Sequence, residues 1–231
     1  LDGRKLSDSG EGDMGLIYTT IGKDGSVGAE TTLDGRVCEC CQTSAAATPD
    51  GLIVVYRDRS AKEVRDISIV RYSNGRWSAP QVLSADGWEI DACPVNGPAI
   101  SANGRNVAVA WFTQVSEKDR VQVVLSSDGG KTFGKPIRVD DGNPSGRVDV
   151  VNLASGAAAV SWVERGAQGS QVRLRQVDAN GVAGPMTTVS GNDRLQSGAV
   201  PRMERSGNDL IVAWTAGGDM PSVRTSIVSL P

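Results

Sequence analysis

The stretch Val107-Ala108-Val109-Ala110-Trp111 decides the fold, because it recurs. Its counterparts are Leu52-Ile53-Val54-Val55-Tyr56, Ala158-Ala159-Val160-Ser161-Trp162 and Leu210-Ile211-Val212-Ala213-Trp214. The closing aromatics stand at 56, 111, 162 and 214, at intervals of 55, 51 and 52 residues. A second marker keeps step: Gly75, Gly130 and Gly181 each lie 19 residues after their aromatic. Pro80, Pro136 and Pro185 follow, each expected just ahead of a short strand such as Gln81-Val82-Leu83 or Ile137-Arg138-Val139. Between aromatic and glycine lies one more strand, at residues 67–72, 121–125 and 172–176. Val172-Arg173-Leu174-Arg175 alternates apolar and polar residues, as a strand with one wet face does.

Each unit of about fifty residues thus holds roughly four short antiparallel strands, which is one blade of a β-propeller. A β-sandwich is the alternative, but it gives no reason for the constant offset of 19. The predicted fold is all-β, a single propeller domain of four-stranded antiparallel blades. The units are a partial blade at 1–36, blades at 37–85, 86–141 and 142–191, and a partial blade at 192–231. Gly25 supplies a further turn 50 residues before Gly75, after the strand Gly15-Leu16-Ile17-Tyr18. The innermost strand of that unit would fall before residue 1, and the last unit stops at its third strand, near 223–230. We therefore expect an incomplete ring, about four blades' worth of a larger propeller such as a six-bladed one. Another segment or chain would complete it. Closure of the two ends into a small four-bladed ring is the alternative.

Composition narrows the function. Of 231 residues, 39% are hydrophobic and 22% charged, which is globular and not disordered. There is no histidine, so no Ser-His-Asp or Cys-His nucleophile pair and no HExxH zinc helix can form within the chain. A net charge of −3 argues against a nucleic-acid partner. No apolar run approaches the ~18 residues of a transmembrane segment. The chain opens on Leu1, which is compatible with a removed leader.

Ser126-Ser127-Asp128-Gly129-Gly130-Lys131-Thr132-Phe133 resembles the Asp-box of sialidases and related propellers, with Ser126, Asp128, Gly130, Thr132 and Phe133 as its structural residues. Its carboxylate can accept turn N–H groups, its glycine tolerates positive φ, and its aromatic packs between sheets. Ser73-Asn74-Gly75-Arg76-Trp77 and Asp178-Ala179-Asn180-Gly181 are degenerate copies. Cys38-Glu39-Cys40-Cys41, Arg57-Asp58, Arg65-Asp66, Asp86-Gly87-Trp88 and Cys93-Pro94-Val95-Asn96-Gly97-Pro98 together resemble bacterial exported sialidase-like proteins with such repeats. The resemblance implies a propeller in an extracytoplasmic location (periplasm, cell surface or medium). The motif is structural, so it implies fold and not activity.

A sialidase needs three arginines around a carboxylate, an acid, and a tyrosine nucleophile activated by a glutamate. The candidates are Arg57, Arg65 and Arg147 among cations, and Asp58, Asp66, Asp149 and Glu164 among acids. All fall on the face opposite the Asp-box turn. No tyrosine is well placed: Tyr18 and Tyr72 lie in third strands, and Tyr56 takes the core position of Trp111. The arginine–aspartate pairs read equally as ion pairs and loop caps. Trp88 is expected to cover its loop more than to stack on a sugar.

Four cysteines, Cys38, Cys40, Cys41 and Cys93, fall in equivalent loops of adjacent units. An even count in an exported protein points to disulfides. A bond between neighbours Cys40 and Cys41 would be strained. That leaves Cys93 bonded to Cys40 or Cys41, and Cys38 to the other. A thiolate site for Cu(I) or zinc is the sharper alternative, and free thiols the third. No other cofactor is expected. Two functions stay open: a glycan-directed exported propeller, with sialidase-type glycoside hydrolysis as its enzymatic form, and a non-catalytic binding or assembly propeller that grips a protein or a metal.

Overall fold

The computed structural model describes residues 12–230 except 168, 192 and 193. The described residues form strands and turns, with no helix. A two-stranded sheet pairs β1 (Leu16–Tyr18) with β2 (Thr31–Asp34). The next sheet holds β3 (Ser44–Thr48), β4 (Gly51–Arg57), β5 (Ile67–Ser73), β6 (Arg76–Trp77) and β7 (Gln81–Ser84). Both β6 and β7 pair with β5, so they are one outer strand broken at Pro80. Then come β8 (Ala99–Asn103), β9 (Asn106–Val115), β10 (Lys118–Ser126) and β11 (Ile137–Arg138). The fourth sheet is β12 (Pro144–Asn152), β13 (Ala158–Gly166), β14 (Gly169–Val177) and β15 (Ala183–Thr188). The last has three strands, β16 (Arg202–Ser206), β17 (Asp209–Ala216) and β18 (Ser222–Ser229). All pairings within the sheets are antiparallel and between chain neighbours, apart from the β5–β7 pairing across β6. The sheets follow one another as the blades of a β-propeller.

The repeated aromatic is what packs one sheet on the next. On β9, Val107, Val109 and Trp111 point back onto Ile53, Val55 and Ile69 of the preceding sheet. Ala108 and Ala110 point forward onto Val148, Val160 and Trp162 of the following one. Trp162 and Trp214 repeat the backward role, Trp214 against Leu174. Tyr56 does the same against the first sheet, where Leu16 and Leu33 meet it. Each of the four apolar clusters therefore lies between two successive sheets, and the two-residue period of a strand sorts its side chains between them.

Inner strands β3, β8, β12 and β16 stand side by side around the axis. A polar bond recurs between them. Ile100 N–H donates to Ser44 Oγ (3.2 Å), Asn152 N–H to Ser101 Oγ (2.9 Å) and Met203 N–H to Asp149 Oδ2 (2.8 Å).

The turn at 126–133 closes on itself through Asp128. Its carboxylate accepts Lys131 N–H (2.9 Å), Thr132 N–H (3.0 Å) and Thr132 O–H (2.6 Å), and Ser126 O–H (2.7 Å) completes the ring. The Thr132 hydroxyl above all, then the Thr132 N–H and Ser126, hold this carboxyl well below the usual carboxylate range. Gly130 has φ +77°, and a Cβ there would lie 2.4 Å from Ile53 Cδ1 of the neighbouring sheet. Glycine is needed for both reasons.

Two expectations are corrected. Pro185 lies inside β15, where outer-edge position and an irregular register tolerate its missing N–H. The strands also do not stop at their aromatics. β9 continues to Val115 because Ser116 (φ 49°) and Glu117 (φ 62°) turn the chain as a two-residue hairpin with both residues left-handed.

Candidate functional site

Strand alternation puts residues 58–66 and the segments before β3, β8, β12 and β16 at the ends of the blades opposite the Asp128 turn. Arg57, the last residue of β4, organises this face. It is 1% exposed, among the largest fully buried side chains. Its guanidinium donates to the carbonyls of Asn96 (2.7 Å), Arg65 and Phe112, and lies 4.9 Å above the Trp88 ring. Burial pulls its pKa down to about 9, against the opposing pull of Asp86 and Asp66. No side of this cation is open to a ligand. Trp88 is buried against Phe112, 5.5 Å between centroids, and so covers its loop.

The neighbouring candidates are spent in the same cluster. Arg65 is buried and pairs with Glu63 (2.8 Å) and Glu39 (3.5 Å). Arg36 and Arg59 pair with the same Glu63, and Arg59 also with Glu39. Asp58 accepts the Arg59 N–H (2.7 Å) and Asp66 the Gly87 N–H (2.8 Å), and burial raises both carboxyls. Elsewhere, Asp149 sits between inner strands β12 and β16, raised by burial. Glu164 accepts Asn143 N–H (2.8 Å) and the Trp162 indole N–H (2.5 Å).

That last bond belongs to a set the motif reading missed. The repeated aromatic donates to a carboxylate in three blades: Tyr56 to Asp34 (2.6 Å), Trp111 to Asp86 (2.7 Å) and Trp162 to Glu164. Asp34 ends strand β2 of the preceding sheet, Asp86 belongs to the preceding loop and Glu164 to the same strand, so no constant spacing announces them. Burial first, then Asp34, holds the Tyr56 phenol protonated far above its usual range. That is the reverse of an activated nucleophile.

Arg147 stands apart. Gly146 (φ +85°) and Arg147 (φ 57°) are both left-handed at a break in the β12–β13 register. They are held by Asn96, whose Oδ1 accepts Arg147 N–H (2.8 Å) and whose Nδ2 donates to Ser145 O (3.2 Å). A Cβ at position 146 would lie 2.2 Å from Asn96 Oδ1. Asn96 therefore links the buried Arg57 to the Arg147 backbone. The Arg147 side chain reaches the Val95 carbonyl and lines a cleft of about 330 Å³ with Arg165, Ser145, Ser170, Gln196 and Ser197. Arg165 is held by Asp119 (3.0 Å), whereas no carboxylate pairs with Arg147 among the described residues. Among the described residues, the cleft lining holds no acidic one.

The cysteines form two disulfides, Cys38–Cys41 and Cys40–Cys93, the second tying the loops of adjacent blades. This selects one of the two expected pairings. Disulfides fit an oxidising compartment. Among the described residues, no helix is long and apolar enough to cross a membrane.

No family model and no curated protein matches this chain. Solved structures do. A family-43 glycoside hydrolase from a capybara gut metagenome is 13% identical at TM-score 0.52, covering 80% of this chain and 39% of its own. The family-43 protein BlXynB of Bacillus licheniformis gives 13%, 0.52, 80% and 38%. The fucose-specific lectin of Aleuria aurantia gives 13% and 0.52, covering 95% of this chain and 76% of its own. What they share with this chain is the propeller. By name they are glycan-related, two hydrolases and a lectin, and none is named a sialidase. This chain spans about two fifths of the hydrolases' length.

Proposed function

We propose that this chain is an exported, glycan-directed propeller that binds an acidic saccharide in the Arg147 cleft without cleaving it. One observation carries the reading: Arg147 is the only arginine of the three candidates that faces a cleft, and it has no carboxylate partner among the described residues. An unpaired guanidinium recognises a carboxylate through paired N–H bonds, and the surrounding hydroxyl and amide groups suit sugar hydroxyls. The propeller fold shared with glycoside hydrolases and a lectin supports a glycan as the ligand, by analogy of fold.

Hydrolysis is the weaker reading. It needs an acid and a second carboxylate or activated tyrosine at one bond. Asp58, Asp66 and Glu164 are engaged in loop and indole hydrogen bonds, and the cleft lining offers no carboxylate among the described residues.

Titration calorimetry with sialyllactose, an oligogalacturonate and neutral lactose tests the proposal. Binding of an acidic sugar, weakened about tenfold or more in Arg147→Ala as expected for a lost charge-assisted contact, supports it. Equal binding by Arg147→Ala, or preference for lactose, overturns it. Release of free sugar would establish the hydrolytic reading instead.

A further inference from the structure

The cysteine cluster is more concentrated than two structural staples require. The sulfurs of Cys38, Cys40 and Cys41 lie within 4.8 Å of one another, although they belong to different disulfides. Cys38 Sγ and Cys40 Sγ, which are not bonded to each other, are 3.9 Å apart. A metal–sulfur bond of about 2.3 Å sets ligand sulfurs about 3.8–4 Å apart in tetrahedral or trigonal geometry. The backbone thus already holds one sulfur pair at ligand spacing. Cys93 is not part of this group of three.

The surroundings suit thiolates. The chain has no histidine, so no imidazole competes as a ligand. Glu39, between Cys38 and Cys40, is met by the guanidinium groups of Arg59 and Arg65. Arg65 is 3% exposed, and its Nε makes no hydrogen bond. Guanidinium groups gathered at the residue between two of the cysteines favour the thiolate through their charge. Cys38 and Cys41 also line a cavity of about 550 Å³ with the thioether-bearing Met14, which opens a route to this side of the cluster.

We propose that, once both disulfides are reduced, Cys38, Cys40 and Cys41 form a trigonal site for one Cu(I) ion. Two equivalents of a dithiol open the two disulfides, leaving four protein thiols and two cyclic dithiol disulfides. One Cu(I) then replaces the three thiol protons of Cys38, Cys40 and Cys41, and Cys93 keeps its own. All-sulfur coordination with three ligands suits Cu(I), whereas zinc would call on four. The site is independent of the saccharide cleft, and its test uses no sugar.

The full chain is reduced with dithiothreitol, desalted without oxygen and titrated with Cu(I) against bicinchoninate, with far-ultraviolet dichroism followed throughout. The expected result is one Cu(I) per chain with the β-sheet signal retained. Cys38→Ser, Cys40→Ser and Cys41→Ser each weaken binding about tenfold or more, and Cys93→Ser leaves it within about threefold. X-ray absorption on the unsubstituted copper-loaded protein gives three sulfurs, and this holds the test open if a serine variant does not fold. No copper retained, a two- or four-sulfur shell, an equal loss in Cys93→Ser, or collapse of the sheet signal on reduction each overturns the proposal.

Discussion

Arg57→Leu removes the buried cation around which the ligand-facing loops are arranged. Three carbonyls, those of Arg65, Asn96 and Phe112, lose their donor. A buried acceptor left unpaired costs about 1–3 kcal/mol, so the three together cost about 6 kcal/mol. Losing the cation over Trp88 adds about 1 kcal/mol. Against this, the variant no longer buries a charge. Burial lowers the Arg57 pKa to about 9, and removing the charge gives a relief of about 5 kcal/mol. The net expectation is a destabilisation of about 2 kcal/mol, or a drop of about 4–8 °C in Tm for a domain of this size. Differential scanning calorimetry at neutral pH measures it, with Arg59→Ala as control. Arg59 is a half-buried arginine whose ion pairs lie with Glu39 and Glu63 at the rim, and its loss should cost about 1 kcal/mol. Arg57→Lys should also fall well below wild type, because one ammonium cannot reproduce three fixed N–H directions. Since Asn96 accepts from Arg57 and holds Arg147, Arg57→Leu should weaken acidic-sugar binding as well. A Tm within 2 °C of wild type (roughly 0.5 kcal/mol at this size) would refute the role given to this arginine.

Gly130→Ala should cost about 2 kcal/mol or more, from positive φ and the clash with Ile53 Cδ1. Urea unfolding of Gly130→Ala in an Ile53→Val background, where that methyl is gone, should show part of the loss recovered. Asp128 has a folded-state pKa below its unfolded one. Its stabilisation is therefore complete above the ordinary carboxylate range and lost as pH falls through the lowered value. The gap in urea midpoint between wild type and Asp128→Ala should accordingly narrow toward acid, and a gap constant with pH would contradict the bonding described. Removing the cross-blade tether by Cys40→Ser with Cys93→Ser opens a loop of 53 residues and should cost about 2–4 kcal/mol, read by thermal melting.

The aromatic repeat and its glycine partner were legible in the chain because they are local and periodic. A residue that must face the preceding sheet recurs each time a sheet is built, and so Tyr56, Trp111, Trp162 and Trp214 mark the blades in one dimension. The turn at 126–133 was legible for a similar reason, since the bonds of its Asp128 carboxylate close within eight residues. The Ser116-Glu117 hairpin was not, because neither residue favours the left-handed region that the turn uses.

Composition could nominate Arg57, Arg65 and Arg147 but could not rank them. Position along the chain does not record burial. Arg57 and Arg65 vanish into contacts with residues 2 to 55 positions away, whereas Arg147 is turned into a cleft by an asparagine 51 residues earlier. The carboxylate partners of the repeated aromatics and the pairing of four nearby sulfurs have the same origin. They follow from which loops the stacked sheets bring to one end, and that is settled by packing in three dimensions.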